Sequence, residues 1–130
     1  MANGTIAFDT LTTSDSKNTN TEKSIDTSFI FNGVSKAWSS FTQVGTTALT
    51  DSFNISSLTD DGTGQTDHAL TTSMINSTYG VYEGGFDSTY FGMFSTFQVD
   101  SSNYRIGFGR DGNAYEDADE VYSHIQGDLA

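Results

Sequence analysis

From Ser28 onward, apolar and polar residues alternate in short runs, and turn residues break the pattern at roughly the 8–12-residue spacing of all-β domains. Phe29 and Phe31 alternate ahead of Asn32-Gly33, a strong hairpin-turn signal. Trp38 and Phe41 mark the next strand, which Gly45 closes. Phe53 and Ile55 alternate with Ser52, Asn54 and Ser56, predicting one strand with a buried and a wet face, continued past a bulge by Leu58. Asp60 to Gly64 reads as a turn, followed by His68 and Leu70 on one face of a short strand and Tyr79 and Val81 on one face of another. Gly84-Gly85 interrupts the pattern, with a loop expected through Thr89. Phe91, Met93, Phe97 and Val99 predict a strand that puts Phe94 on the opposite face or at a bulge. Ser101-Ser102-Asn103 is a turn, and Tyr104, Ile106 and Phe108 alternate after it. Val121 and Ile125, with Ser123 between them on the same face, form a last strand. The best helical candidate is the short Glu116–Val121 segment, because no longer window shows apolar spacing of three and four residues.

The N-terminal stretch differs. Thr5 to Leu11 carries Ile6, Phe8 and Leu11, and Thr12 to Thr27 is almost wholly polar. Such a segment cannot build a core of its own. It reads either as a floppy terminus or as an extended arm whose apolar residues Ile6, Phe8 and Leu11 dock on a neighbouring subunit. The expected organisation is an arm over residues 1–28 and a β-sandwich over residues 29–130. That sandwich is all-β, antiparallel and jelly-roll-like, with core anchors Trp38, Phe41, Phe53, Ile55, Tyr79, Val81, Ile106 and Phe108.

Composition supports a thin core rich in rings: apolar residues are 35% of the chain, but aromatics are 13%. Seventeen acids against five bases leave a formal charge of −12, and no Lys or Arg falls between Lys36 and Arg105. A nucleic-acid groove needs a basic stripe, and an anionic membrane surface repels such a chain, so neither partner is expected. The acidity suits solubility under high salt or crowding; its sharper reading is a match to a basic partner surface. The chain has no cysteine, hence no disulfide framework, and no proline, so its turns rest on Gly, Asn and Asp. The first residues show neither the basic nor the apolar region of a signal peptide.

Reactive chemistry is sparse. The acidic stretch from Asp111 to Glu120 begins like a calcium loop, with Asp111 and Asn113 two residues apart and Asp117 beyond. It then departs, with Glu116 where the loop needs glycine and Tyr122 where it needs a bidentate Glu, and a solvated acidic loop is the plainer reading. His68 and His124 are the only histidines; His68 reads as a half-buried polar strand residue, not a catalytic base. Asp60 and Asp61 are adjacent and point apart, which suits a turn better than glycoside cleavage. Gly107 and Gly109 lack the helix that a phosphate loop requires and read as strand glycines permitting a close approach or a bulge. No catalytic group and no cofactor is expected.

One stretch, Val34 to Tyr82, carries a resemblance. Its residues Lys36-Ala37-Trp38, Phe41, Asp51-Ser52-Phe53-Asn54, Ser56 to Asp60, Gly62-Thr63-Gly64, Thr71-Thr72, Met74, Tyr79 and Val81 resemble a small β-module of tailed bacteriophages, especially marine ones. The chain departs from that module at Gln65–His68. The resemblance implies a non-enzymatic virion structural protein assembled in the bacterial host cytoplasm. As a capsid decoration or head-appendage protein it would bind other virion proteins and form a homo-oligomer, a trimer by analogy. The alternative it implies is a tail-fibre tip that contacts host surface polysaccharide. Loop aromatics such as Tyr90, Phe91 and Tyr115 would then make the contact, with an exposed, sugar-stacking Trp38 the second option for that residue.

Overall fold

A computed structural model of the chain describes residues 10–12, 24–89, 91–110 and 114–130. They fall into two compact units, Met1–Val34 and Ser35–Ala130. The first holds β1 (Thr10–Thr12), β2 (Ser24–Asp26) and the helix α1 (Thr27–Gly33). β1 and β2 pair antiparallel with Leu11 opposite Ile25, so the polar stretch expected to be a plain tether has strands at its two ends. Of the expected docking residues, Ile6 and Phe8 lie outside the described residues. Phe29 and Phe31, expected in a strand, are helical instead. Two apolar residues two apart are too short a run to fix a period, and Asn32-Gly33 ends a helix here, not a hairpin.

The second unit is the expected all-β sandwich: two antiparallel sheets packed face to face. One sheet has the order β4 (Ala48–Phe53), β3 (Ala37–Thr42), β11 (Glu120–Gln126), β7 (Gly80–Phe86). The other runs β5 (Ile55–Gly62), β6 (Gln65–Leu70), β9 (Asn103–Arg110), β8 (Gly92–Gln98). The two-residue β10 (Ala114–Tyr115) takes the edge of β9 beyond the end of β6. Alternation decides what each strand buries. β6 turns Thr66, His68 and Leu70 inward, β9 turns Tyr104, Ile106 and Phe108 inward, and β11 turns Val121, Ser123 and Ile125 inward. With Ala37, Phe41, Met74, Tyr79 and Ala118 these apolar residues are the core, against which Ile55, Leu58, Val81 and Phe94 pack.

Five local expectations are corrected. Phe53 and Ile55 do not share a strand: Asn54 adopts φ 59°, and the chain leaves one sheet and enters the other there. Asn54 holds this corner with its own amide. Its Nδ2 donates to the Lys36 and Thr72 carbonyls (3.0 and 3.1 Å), and its Oδ1 accepts from the Thr72 amide (2.7 Å). Trp38 and Phe53 are not core anchors. Because Ala37, Ser39 and Phe41 point inward on β3, Trp38 and its cross-strand neighbour Phe53 point out, 37% and 55% exposed. On β8 the phase is reversed: Phe94 faces in and packs against Phe108 with the rings tilted (4.8 Å, 39°), while Phe91, Met93, Phe97 and Val99 are exposed. Gly84-Gly85 lies within β7, and Glu116–Val121 is no helix, since β11 begins at Glu120.

Candidate functional site

The inter-sheet layer contains a Ser–His contact. Ser39 Oγ lies 3.2 Å from His68 Nε2 and 2.7 Å from Ser123 Oγ, which is 2.8 Å from the Tyr104 hydroxyl. Tyr104 stacks on His68 at 4.5 Å and Phe41 meets it edge-on at 4.7 Å. Burial holds the imidazole neutral, lowering its pKa to about 4 against the weaker upward pull of the Thr66 backbone and Asp67, and pushes the Tyr104 hydroxyl up to about 12. A nucleophile must meet substrate and its base must be oriented by a third group. Here all four side chains are buried, and among the described residues His68 Nδ1 has no hydrogen-bond partner. The cluster ties β3 and β11 to β6 and β9; it presents no reactive group to solvent. His68 is thus fully buried, where the sequence reading had it half-buried. Beside it Gln43 donates to Thr66 Oγ1 (3.2 Å) and accepts from the Ala118 amide (3.1 Å), a second polar tie across the same layer.

The outward surface of the four-stranded sheet is different. Register places Phe53, Trp38, His124 and Tyr82 in one row across β4, β3, β11 and β7. His124 and Tyr82 stack at 4.8 Å with their planes 16° apart, and Tyr82 is 50% exposed. The next rows add Tyr122 on β11 and Phe86 on β7, both exposed. Gly84, opposite Tyr122, leaves open space where a side chain would stand. The acids on this face are Asp51 and Glu120, and Glu120 accepts a hydrogen bond from the Tyr122 hydroxyl, which raises that phenol's pKa. Half-exposed aromatics in this number supply several hundred Å² of apolar surface, roughly the core of a standard interface. The outward ring set of β11, Tyr122 and His124, was readable as the complement of the Val121–Ser123–Ile125 alternation; only the register joins it to Trp38 and Tyr82.

At the β7–β8 end, Phe86, Asp87, Ser88, Thr89, Phe91 and Phe94 line part of a cleft of about 330 Å³. Asp119 accepts from the Ser88 amide (2.8 Å) there, and its carboxyl is held below its ordinary range by the Ser88 hydroxyl and amide. Of the expected loop aromatics, Phe91 lines this cleft, Tyr115 does not, and Tyr90 lies outside the described residues. Tyr115 instead lies against Gly107 on β9, whose missing Cβ makes room for it and for Ser95, the close approach expected of that glycine.

Of the weak metal candidates, Asp111 and Asn113 lie outside the described residues. Asp117 accepts the Gly64 amide at 2.6 Å, fastening the β5–β6 turn. Among the described residues no group of three or more His, Asp or Glu is placed to hold a metal ion, and no helix is long and apolar enough to cross a membrane. Arg105 forks onto Asp67 (2.6 and 2.9 Å) and reaches Asp61 (2.6 Å); the Asp67 hydrogen bond raises its pKa. Arg110 pairs with Glu116 (3.3 Å), and Lys36 is buried. These cations therefore face acids of the chain itself or the interior, not a phosphate backbone. Compared with protein-family models, curated proteins and solved structures, the chain matches none of them.

Proposed function

We propose that this chain is a non-enzymatic structural subunit of a bacteriophage virion, a capsid-decoration or head-appendage protein that binds neighbouring virion proteins. The resemblance of Val34–Tyr82 supplies the setting. The observation that supports the mode of action is the exposed aromatic row Phe53–Trp38–His124–Tyr82 on a regular sheet. Contiguous apolar surface on a folded domain marks an interaction site, and Trp and Tyr are the residues interfaces favour. The partner surface is basic, because cations stack on such rings and the chain carries −12. Purified particles of a phage encoding this chain should contain it at a stoichiometric copy number. Trp38→Ala with Tyr82→Ala should reduce its incorporation at least tenfold while the isolated protein stays folded. Absence from particles overturns the assignment; undiminished incorporation of the double variant overturns the face.

A second reading, a tail-fibre tip that contacts host polysaccharide, is favoured by the Phe86–Phe91 cleft with its polar Asp87, Ser88 and Thr89. It requires glycan binding that is lost on Phe91→Ala.

A further inference from the structure

Apart from the two-residue β10, the edge strands of the sandwich among the described residues are β4 and β7 in one sheet, β5 and β8 in the other. Exposed edges invite pairing with another chain, and proteins blunt them with charges or bulges. Three of these are blunted. β4 carries Asp51 and meets β3 through a register shift at Ser40/Phe41. β5 carries Asp60 and Asp61 and has irregularities at Ile55/Ser57 and Asp60/Gly62. β7 carries Glu83 and the Gly84-Gly85 pair.

β8 has none of these devices. Its sequence, Gly-Met-Phe-Ser-Thr-Phe-Gln, holds no charge and pairs with β9 over seven residues without a register shift. It lies within a charge-free stretch of twelve residues, Ser88 to Val99, in a chain of seventeen acids. Among the described residues no strand pairs with its second edge. On its outward face Met93 and Phe97 flank Ser95 and are 81% and 51% exposed.

We propose that the second edge of β8 pairs antiparallel with β8 of a second copy of this chain, about a two-fold axis at Ser95. Charge selects this occupant. Two copies that each carry −12 repel one another, and β8 is the edge at which they meet with no carboxylate on either strand. The sequence is also self-complementary about Ser95. The axis sets Met93 opposite Phe97, Phe94 opposite Thr96 and Gly92 opposite Gln98, each pair occurring twice as an isologous contact requires. The two sheets become one continuous sheet through the dimer. This pairing does not depend on the virion assignment and uses none of the aromatic row.

The chain has no cysteine, so Ser95→Cys creates a single thiol. Residues directly opposite in an antiparallel pair bring their Cβ atoms to about 4.5–5.5 Å, close to disulfide reach. Sedimentation of the wild-type chain should give twice the 14.0 kDa protomer mass. Ser95→Cys should form a covalent dimer on mild oxidation, and Ser56→Cys on the far edge strand β5 should not. Met93→Lys, a charge set on the exposed face of this edge, should return the protein to a folded monomer by circular dichroism. A wild-type monomer across a concentration series overturns the proposal. A dimer in which Ser95→Cys does not cross-link overturns it too, assigning the contact to another surface.

Discussion

His68 illustrates how one side chain can carry a pH-dependent share of the stability. In the unfolded chain its imidazole has its ordinary value of 6.5, whereas burial lowers it to about 4 in the fold. The unfolded state therefore binds the proton first as pH falls. The contribution of His68 is complete above pH 6.5, declines through the window down to pH 4 and is lost below it, a difference of about 3 kcal/mol. Urea unfolding of wild type and His68→Leu at pH 7 and pH 4 tests this. Wild type should lose about 3 kcal/mol more than the variant over that interval, the variant discounting carboxylates that titrate in the same range. Equal losses would show that the ring is not held neutral by the packing of Phe41 and Tyr104. The Tyr79 hydroxyl has another task at the same scale. It donates to the Asp100 and Asn103 carbonyls (2.9 and 2.8 Å), fastening the β8–β9 turn, and burial pushes its pKa up to about 12.

Among the elements, the passage from β4 to β5 shows what a single corner contributes. Asn54 supplies a left-handed backbone, which Asn tolerates better than most residues, and three side-chain hydrogen bonds to Lys36 and Thr72. Asn54→Ala should cost about 2–4 kcal/mol, and Asn54→Gly less because it relieves the φ strain while still losing the bonds. Chemical-denaturation midpoints of the two variants would rank them; an Asn54→Gly that falls below Asn54→Ala refutes the account. The same corner explains part of what the sequence hid. Phe53 and Ile55 alternate as one strand would, and a one-residue switch between sheets leaves no mark on period-two hydrophobicity. Strands with one apolar and one polar set were legible: Thr66–His68–Leu70, Tyr104–Ile106–Phe108 and Val121–Ser123–Ile125 all face as alternation predicts. β8 was not, because both of its faces carry large apolar side chains, and the choice between Phe94 and the Met93–Phe97 pair goes with Phe108 opposite Phe94 on β9. Trp38 misled for a related reason: ring size argues for burial, but Ser39 is the neighbour that faces His68. The aromatic row was half-readable as single exposed residues, and only strand register assembles it.

At the scale of the whole molecule, charge opposes compaction. Thirteen acids and three bases lie among the described residues, and Arg105 and Arg110 are engaged with Asp67, Asp61 and Glu116. The surplus carboxylates repel one another over distances that ~0.1 M salt screens within about 10 Å. Raising sodium chloride from low to near-molar concentration at pH 7 should lift the thermal midpoint by several degrees. A falling midpoint would mean that the ion pairs of Arg105 and Arg110 outweigh the repulsion.

The sandwich's first strand and its last lie side by side, β3 against β11, with Trp38 opposite His124. Every route into the native state must therefore close a loop of some eighty residues before that sheet exists, which makes folding slow and late in synthesis. Until residues 120–126 are available, β3 can pair only with β4, β7 has no partner strand, and the core lacks Val121 and Ile125.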